Sequence, residues 1–132
     1  MRLDADAAWA LLRTSHHGVL GTVHPGRGVD AVPVVFAVDG SRVLVPVDTV
    51  KAKSTTRLQR VANLAGDPRC VLLVDHYDDD WSKLWWVRAH GTATVVEGRH
   101  DALTAFAQYR EEGAVAATIV LRPDVVSGWR AG

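Results

Sequence analysis

The chain has 132 residues, the size of one domain, and we expect a single domain over residues 1–132. Its 15 basic and 15 acidic side chains balance, which argues against nucleic-acid partners and against an anionic membrane surface. No apolar run approaches the roughly 20 residues that cross a bilayer, and the acidic start of the chain is unlike an export signal.

The first half of the chain predicts a helix followed by an antiparallel meander of three strands. Asp4 can cap the helix, and Asp39-Gly40 between two apolar runs is the strongest hairpin signal in the sequence. Pro33 lies inside the second strand, where it cannot donate to a ladder and therefore marks an edge, a bulge or a bend. The predicted elements are the helix Leu3–Thr14 and the strands Gly18–His24, Val29–Val38 and Arg42–Val47.

The second half of the chain predicts two further helices among three strands. A helix capped by Ser54 or Thr55 ends at Gly66 and Pro68. The order of elements predicts a mainly β fold, a small antiparallel barrel of six strands with peripheral helices. The other elements are strand Arg69–Asp75, loop Tyr77–Trp81, strand Leu84–Glu97 with a bend at Gly91, helix Arg99–Glu112, strand Ala116–Arg122 and a tail from Pro123 to Trp129.

The segment Lys51–Arg60 places cations around the predicted start of a helix and contains no acid. The helix dipole repels cations at that end by about 0.3–1 kcal/mol each. Hydroxyls, free N–H groups and cations together favour an anion-binding site, with a solvated basic face as the alternative. The candidate residues are Lys51, Lys53, Thr55, Thr56, Arg57 and Arg60.

Trp85 and Trp86 are adjacent in a predicted strand, so their indoles point to opposite faces. One face is the barrel interior, and the other is a subunit interface or a ligand wall, because large exposed aromatic side chains are unusual. The alternative is that peripheral helices of the same subunit cover both indoles. The sequence favours neither interpretation over the other.

The remaining reactive side chains predict no catalytic or metal centre. The six histidines lack metal-ligand spacing, and Asp78-Asp79-Asp80 is typical of a solvated loop. Cys70 is the single cysteine, and we expect a buried, inert thiol. One cysteine cannot form an intrachain disulfide, so the cytoplasm is the expected compartment.

The segment RLQRVANLAGDPRCVLLVD, Arg57–Asp75, resembles the pyridoxamine 5′-phosphate oxidase-like flavin-binding split-barrel superfamily. The resemblance covers nearly the whole chain. DHYDDDW followed by LWWVRAHGTA is similar to a small actinobacterial group of F420-dependent oxidoreductases. The residues that carry the resemblance are Gly18–Thr22, Pro33–Phe36, Arg60, Asn63-Leu64, Asp67-Pro68-Arg69 and Pro123–Trp129.

This resemblance implies a homodimeric six-stranded antiparallel split barrel with two cofactor sites at the dimer interface. It also implies that Arg60 holds the cofactor phosphate, at a position where lysine is commoner, and that backbone groups of two strands flank the ring. Several arginines in one pocket would suit the phosphate and oligoglutamate tail of F420. The expected cofactor-binding residues are Pro33, Val34, Val47, Asp48, Trp85, Trp86 and the six residues of the basic segment.

The function implied by the resemblance is that of an F420-dependent oxidoreductase that moves hydride between the deazaflavin and a small organic substrate. Hydride chemistry belongs to the cofactor, so no catalytic side chain need appear in the sequence. One alternative is an FMN-dependent oxidoreductase. The other is a split-barrel protein that binds flavin, F420 or haem without turnover.

Overall fold

The computed structural model describes residues 1–48 and 58–132, and these residues form a mainly β structure with two α-helices. Three short 3-10 helices cover Trp81–Lys83, Asp101–Ala105 and Ala107–Tyr109. The helices are α1 (Ala5–Thr14) and α2 (Gln59–Gly66), and the strands are β1 (His17–His24), β2 (Gly28–Val35), β3 (Ala37–Asp39), β4 (Arg42–Asp48), β5 (Arg69–His76), β6 (Trp85–Glu97) and β7 (Val115–Arg130).

The strands pair antiparallel in one sheet with the order β2-β1-β5-β6-β7-β4-β3. This arrangement is consistent with the predicted antiparallel split barrel, but the predicted number of six strands is wrong, because the described residues form seven strands in a sheet that is not closed. Pro33 lies in β2, at one edge of the sheet, where a residue without an N–H is tolerated. The edge interpretation of Pro33 is therefore confirmed.

The extra strand arises because the predicted strand Val29–Val38 is interrupted at Phe36. Phe36 is fully buried, and its backbone N–H donates to the His16 carbonyl at 2.9 Å, which extends the β1–β2 register by one residue before the chain changes partner. Strand β2, which precedes Phe36, pairs with β1, and strand β3, which follows Phe36, pairs with β4. The turn predicted at Asp39-Gly40 joins β3 to β4, with Gly40 at φ +59.

The predicted helix Arg99–Glu112 is also wrong, since two of the short 3-10 helices occupy most of this segment. Its large apolar residues, Leu103, Phe106 and Tyr109, are spaced by three, and such residues eclipse one another in a 3-10 geometry. Arg99 Nη1 donates to the carbonyls of Tyr109 and Arg110, both at 2.9 Å, and so fixes the end of the segment. We call residues 101–109 the 3-10 segment.

The predicted tail Pro123–Trp129 belongs instead to β7, which runs from Val115 to Arg130. Pro123 lies opposite Gly91, where the β6–β7 register shifts, and Asp124 is the extra residue on β7 because Val125 pairs with His90. The bend predicted at Gly91 stays a prediction. A Cβ at Gly91 would collide with the backbone carbonyl of Arg122. The absence of a side chain at Gly91 therefore lets β7 continue past its proline.

The two faces of the sheet are packed differently. The inner face carries the main buried cluster, which includes Leu20, Leu72, Val87 and Leu121. On the outer face, the 3-10 segment covers β4 and β7 and forms a second buried cluster. The outer face of β1, β5, β6 and the last part of β7 is left open, and we call this the uncovered face. Its members are Val19, Leu73, Trp86, Val125 and Trp129.

Candidate functional site

A cavity of about 250 Å³ lies between the start of the β1–β2 hairpin, the end of β4, helix α2 and the 3-10 segment. The C-terminal ends of β2 and β4 contribute backbone and short apolar side chains. Helix α2 contributes the large polar side chain of Arg60, and the 3-10 segment contributes that of Tyr109. The cavity is lined by His17, Gly18, Pro33, Val34, Val35, Pro46, Asp48, Arg60 and Tyr109.

Arg60 is the second residue of α2 and is half-buried. Its Nε is buried and has no hydrogen-bond partner among the described residues. Burial lowers the pKa of the Arg60 guanidinium, but arginine remains protonated at neutral pH. A buried donor on a cation costs free energy when it is unsatisfied, and an anion in the cavity would remove that cost.

Tyr109 brings a phenol to the same cavity from the opposite side, and its side chain is 8% exposed. Its ring packs edge-on against Phe106 with centroids 6.0 Å apart. Burial raises the pKa of Tyr109 above its usual value, and the charge of Asp48 adds to this effect. The phenol is therefore neutral at physiological pH and can donate one hydrogen bond into the cavity.

The cavity thus combines a cation with an unsatisfied donor, a neutral phenol and strand backbone beside two prolines. Arg60 can hold an anionic group, and Tyr109 can orient a polar atom. The backbone of Pro33–Val35 can flank a planar group. These groups can bind and orient a ligand without supplying a nucleophile.

Four predicted site residues meet in this cavity, namely Pro33, Val34, Asp48 and Arg60. Val47 is next to them in sequence, but its side chain is buried in the main cluster. The helix predicted from a cap at Ser54 or Thr55 is wrong as one continuous helix, because Leu58 is non-helical at φ −56 and ψ 138 and α2 begins at Gln59. The remaining members of the basic segment lie outside the described residues. Those members are Lys51, Lys53, Thr55, Thr56 and Arg57.

Trp85 and Trp86 do not line this cavity, but border a second cavity of about 310 Å³ beside the paired strands β5 and β6. Trp85 stacks on His76 with centroids 6.0 Å apart and also packs against the main buried cluster. Trp86 lies on the uncovered face, with the Arg88 guanidinium 4.5 Å from its ring centroid. The opposite orientation of the two indoles, which the strand period predicts, is confirmed.

The sequence interpretation missed Tyr109, His17 and Gly18, whereas Val35 and Pro46 belong to the two strand stretches expected to flank the ring. A usable signal existed for Tyr109, because the three-residue spacing of Leu103, Phe106 and Tyr109 is that of a 3-10 helix. The strand residues carry no such signal. They line a cavity because β2 and β4 approach each other in space.

Cys70 lies on β5 and faces inward, and its side chain is buried. Burial raises the pKa of its thiol to about 12, so the thiolate is scarce at neutral pH. The prediction that this thiol is buried is confirmed. Within residues 1–48 and 58–132, no group of three or more His, Cys, Asp or Glu side chains is arranged to hold a metal ion. No helix among the described residues is long and apolar enough to cross a membrane.

Comparison with known proteins gives a family and a fold. The sequence profile of the pyridoxamine 5′-phosphate oxidase family matches residues 4–128. No curated protein matches the sequence.

Solved structures share the fold at low sequence identity. The FAD binding protein from Mycobacterium smegmatis is 19% identical with a TM-score of 0.69, and the match covers 100% of both chains. A FAD-binding protein from Mesorhizobium loti is 16% identical with a TM-score of 0.78, over 100% of this chain and 98% of that one. A heme binding protein from M. smegmatis is 20% identical with a TM-score of 0.69, over 96% of this chain and 54% of that one.

Proposed function

The chain belongs to the pyridoxamine 5′-phosphate oxidase family, and from this premise we propose that it is an oxidoreductase that binds coenzyme F420. The reaction is hydride transfer between the deazaflavin and a small organic substrate. The observation that carries the proposal is the buried Nε of Arg60 at the edge of the cavity, which has no hydrogen-bond partner among residues 1–48 and 58–132. An anionic group of a cofactor is the partner that this atom lacks.

The residues present fit a phosphorylated cofactor with a planar ring. Arg60 would hold the phosphate through charge-assisted hydrogen bonds, which are about twice as strong as neutral ones. Lys51, Lys53, Thr55, Thr56 and Arg57 remain predicted members of the same site. The strand backbone at Pro33 and Val34 and the end of β4 at Asp48 would flank the ring.

When bound, the cofactor supplies the hydride chemistry, and the side chains of this chain bind and orient. Arg60 fixes the anionic end and thereby the direction in which the ring enters the cavity. Tyr109 stays protonated, since burial raises its pKa, and donates a hydrogen bond to a polar atom of the ring or of the substrate. The apolar side chains of Val34, Val35 and Pro46 exclude water from the enclosed part.

FMN is the second candidate cofactor. Two of the structural neighbours are described as FAD-binding proteins, which favours a flavin in this fold. A non-catalytic binding protein is the third candidate, because another neighbour is a heme binding protein. The three candidate ligands, F420, FMN and haem, each predict a different absorbance spectrum for the protein that carries them.

We also propose that the protein is a homodimer whose interface includes the uncovered face. Trp86 belongs to that face, whereas Trp85 packs inward on the same protomer. Large contiguous apolar patches on a soluble protein mark interaction sites, and a twofold dimer pairs the same patch on both copies. We place the protein in the cytoplasm, because its one thiol is free and inert.

The test is the absorbance spectrum of the purified protein, followed by titration of the cofactor-free protein with F420, FMN and haem. Arg60→Ala removes a charge-assisted contact of about 1.5–3 kcal/mol, so the affinity for F420 and FMN should fall roughly tenfold or more. The melting temperature without cofactor should not fall, because the substitution removes a buried donor that has no partner.

The matched control is Arg122→Ala, which removes an exposed guanidinium that hydrogen-bonds Thr94 Oγ1 at 3.1 Å and does not line the cavity. This variant should keep its affinity for all three ligands. Unchanged F420 and FMN affinity in Arg60→Ala, or an equal loss in Arg122→Ala, contradicts the placement of the phosphate. A protein that binds only haem contradicts the redox proposal.

A further inference from the structure

Asn63 is a buried polar residue on α2, and its side chain is 2% exposed. Its Nδ2 donates to Thr22 Oγ1 at 2.9 Å and to Asp30 Oδ2 at 2.8 Å. Its Oδ1 accepts from Gln59 Nε2 at 2.8 Å. Both amide hydrogens and the carbonyl oxygen are therefore used, which is the state in which a buried amide specifies one arrangement of its neighbours.

These bonds connect three elements. Thr22 on β1 and Asp30 on β2 are direct partners in the hairpin register, and the Asn63 amide holds both. Asp30 is held on its other side by Arg27, whose Nε and Nη2 donate at 2.6 and 2.9 Å. Hydrogen bonds from Arg27 and from Asn63 lower the pKa of Asp30, so it remains an ionised acceptor. Helix α2 is thus fixed to the hairpin at one point.

Arg60 lies three residues before Asn63 on the same side of the helix. The hairpin residues that line the cavity, Gly18 and Val34, lie four residues from Thr22 and Asp30. Four strand residues span about 13 Å, whereas three helical residues rise about 4.5 Å. The long Arg60 side chain covers the rest of the distance from α2 to the cavity. A small rotation of α2 about Asn63 therefore moves the guanidinium, at the end of this side chain, further than it moves the helix backbone.

We infer that Asn63 is a positioning residue that holds the Arg60 guanidinium at the cavity and thereby sets the affinity for the phosphate of the cofactor. The inference rests on the proposed function, because it requires that Arg60 binds that phosphate. Asn63 touches the hairpin and not the cavity. Its effect should therefore reach the cofactor only through Arg60.

The test compares FMN with riboflavin, which has the same ring and lacks the phosphate. In Asn63→Ala, the dissociation constant for FMN should rise about fivefold or more, because the charge-assisted contact is misaligned. The constant for riboflavin should change by less than about twofold, since no ring contact is lost. Arg60→Ala should give the same pattern. Hydrogen exchange of the α2 amides should be faster in Asn63→Ala than in the unchanged protein.

A second variant pair tests the hydrogen bond itself. Asn63→Asp places two carboxylates against each other at the Asp30 contact and should weaken FMN binding at least as much as Asn63→Ala. Combining Asn63→Asp with Asp30→Asn restores the hydrogen bond with the roles exchanged, because position 30 then donates and position 63 accepts. The double variant should bind FMN more tightly than the single variant Asn63→Asp. Arg27→Ala measures separately what the loss of the Arg27–Asp30 pair contributes.

Val87→Ala is the control for general destabilisation. Val87 is buried on β6. The same strand contacts the region just after α2, where the Ala93 N–H donates to the Pro68 carbonyl, six residues further along β6. This variant should lower the melting temperature and leave the ratio of FMN to riboflavin affinity unchanged.

The outcomes separate the inference from the proposed function. If Arg60→Ala removes the preference for FMN over riboflavin and Asn63→Ala keeps it, only the inference is overturned. The same holds if the double variant binds FMN no better than Asn63→Asp. If Arg60→Ala also keeps the preference, the phosphate site is wrong and the inference falls with it.

Discussion

The outer face of the sheet has two halves with similar side chains and different surroundings. On β4 and β7, Leu44 and Val120 lie beneath the 3-10 segment and are 0% and 5% exposed. On β5 and the last part of β7, Leu73 and Val125 are 37% and 57% exposed. The apolar pattern of the strands is alike in both halves, so the difference comes from the segment that covers one of them.

This difference shows that the chain supplies a cover for only half of its own apolar surface. The covered half also serves the candidate site, because Tyr109 belongs to the second buried cluster and reaches the cavity. The other half has aromatic and aliphatic side chains ready for a partner, and a second copy is the partner we propose. Each half can therefore be altered separately and should respond differently.

The largest effect is expected in the covered half. Leu103 is fully buried in the second cluster, and Leu103→Ala should lower the free energy of unfolding by about 2–5 kcal/mol, since it leaves a cavity. Leu73→Ala, on the uncovered face, should cost the isolated protomer much less. Urea denaturation of both variants measures the contrast. Equal losses would show that the two halves are packed alike.

The second effect concerns assembly. Leu73→Glu puts a charge on the uncovered face and should raise the dimer dissociation constant about a hundredfold or more, because the carboxylate would be buried without a partner. Trp86→Glu should act in the same way. Val96→Glu, at an exposed site near the other end of β6, is the matched control. Sedimentation equilibrium at micromolar concentration reads the result, and a monomeric unchanged protein would exclude the dimer.

A smaller effect is expected at the point where the covered half meets the cavity. Tyr109→Phe keeps the ring in the second cluster and removes only the hydroxyl, so stability should hardly change. One neutral hydrogen bond contributes about 0.5–1.5 kcal/mol, which corresponds to a two- to tenfold loss in cofactor affinity or turnover. Tyr77→Phe is the control, since Tyr77 is 70% exposed. Equal behaviour of the two variants would remove Tyr109 from the site.

The smallest effect of a substitution is expected on the reactivity of Cys70, which faces inward from β5. Because burial raises the pKa of its thiol to about 12, its alkylation at pH 8 should be roughly a thousandfold slower than that of an exposed cysteine. Leu73→Glu should leave this rate unchanged, whereas Leu103→Ala should increase it through local opening. Rapid stoichiometric labelling of the unchanged protein would contradict the inward orientation of Cys70.

The features that sequence could predict are local in origin. Asp4 caps α1 as predicted, accepting from the Ala7 N–H at 2.8 Å, and Gly40 allows the predicted turn. Both depend on side chains acting on residues nearby. Arg60 was identified from its charge, because the helix dipole repels a cation near the start of a helix unless an anion binds there.

The features that sequence could not predict depend on distant pairing. Pro123 indicated the end of a strand, and only its position opposite Gly91 shows why β7 continues. Phe36 lies inside one predicted strand, yet the chain changes partner there, since β2 pairs with β1 and β3 pairs with β4. Tyr109 was assigned to a helix, because the competing 3-10 period differs little from that of an α-helix over so few residues. These residues include the ones that close the cavity.

β7 has a consequence for how the chain acquires its structure. It is the last strand to leave the ribosome, and it pairs with β4 and along the whole length of β6. Strand β7 lies between β6 and β4, so the two parts of the sheet cannot pair until β7 has been synthesised. Until then, β4 and β6 each have an unpaired edge. Because such pairings join residues far apart in the chain, folding should be slow and should finish in one late step.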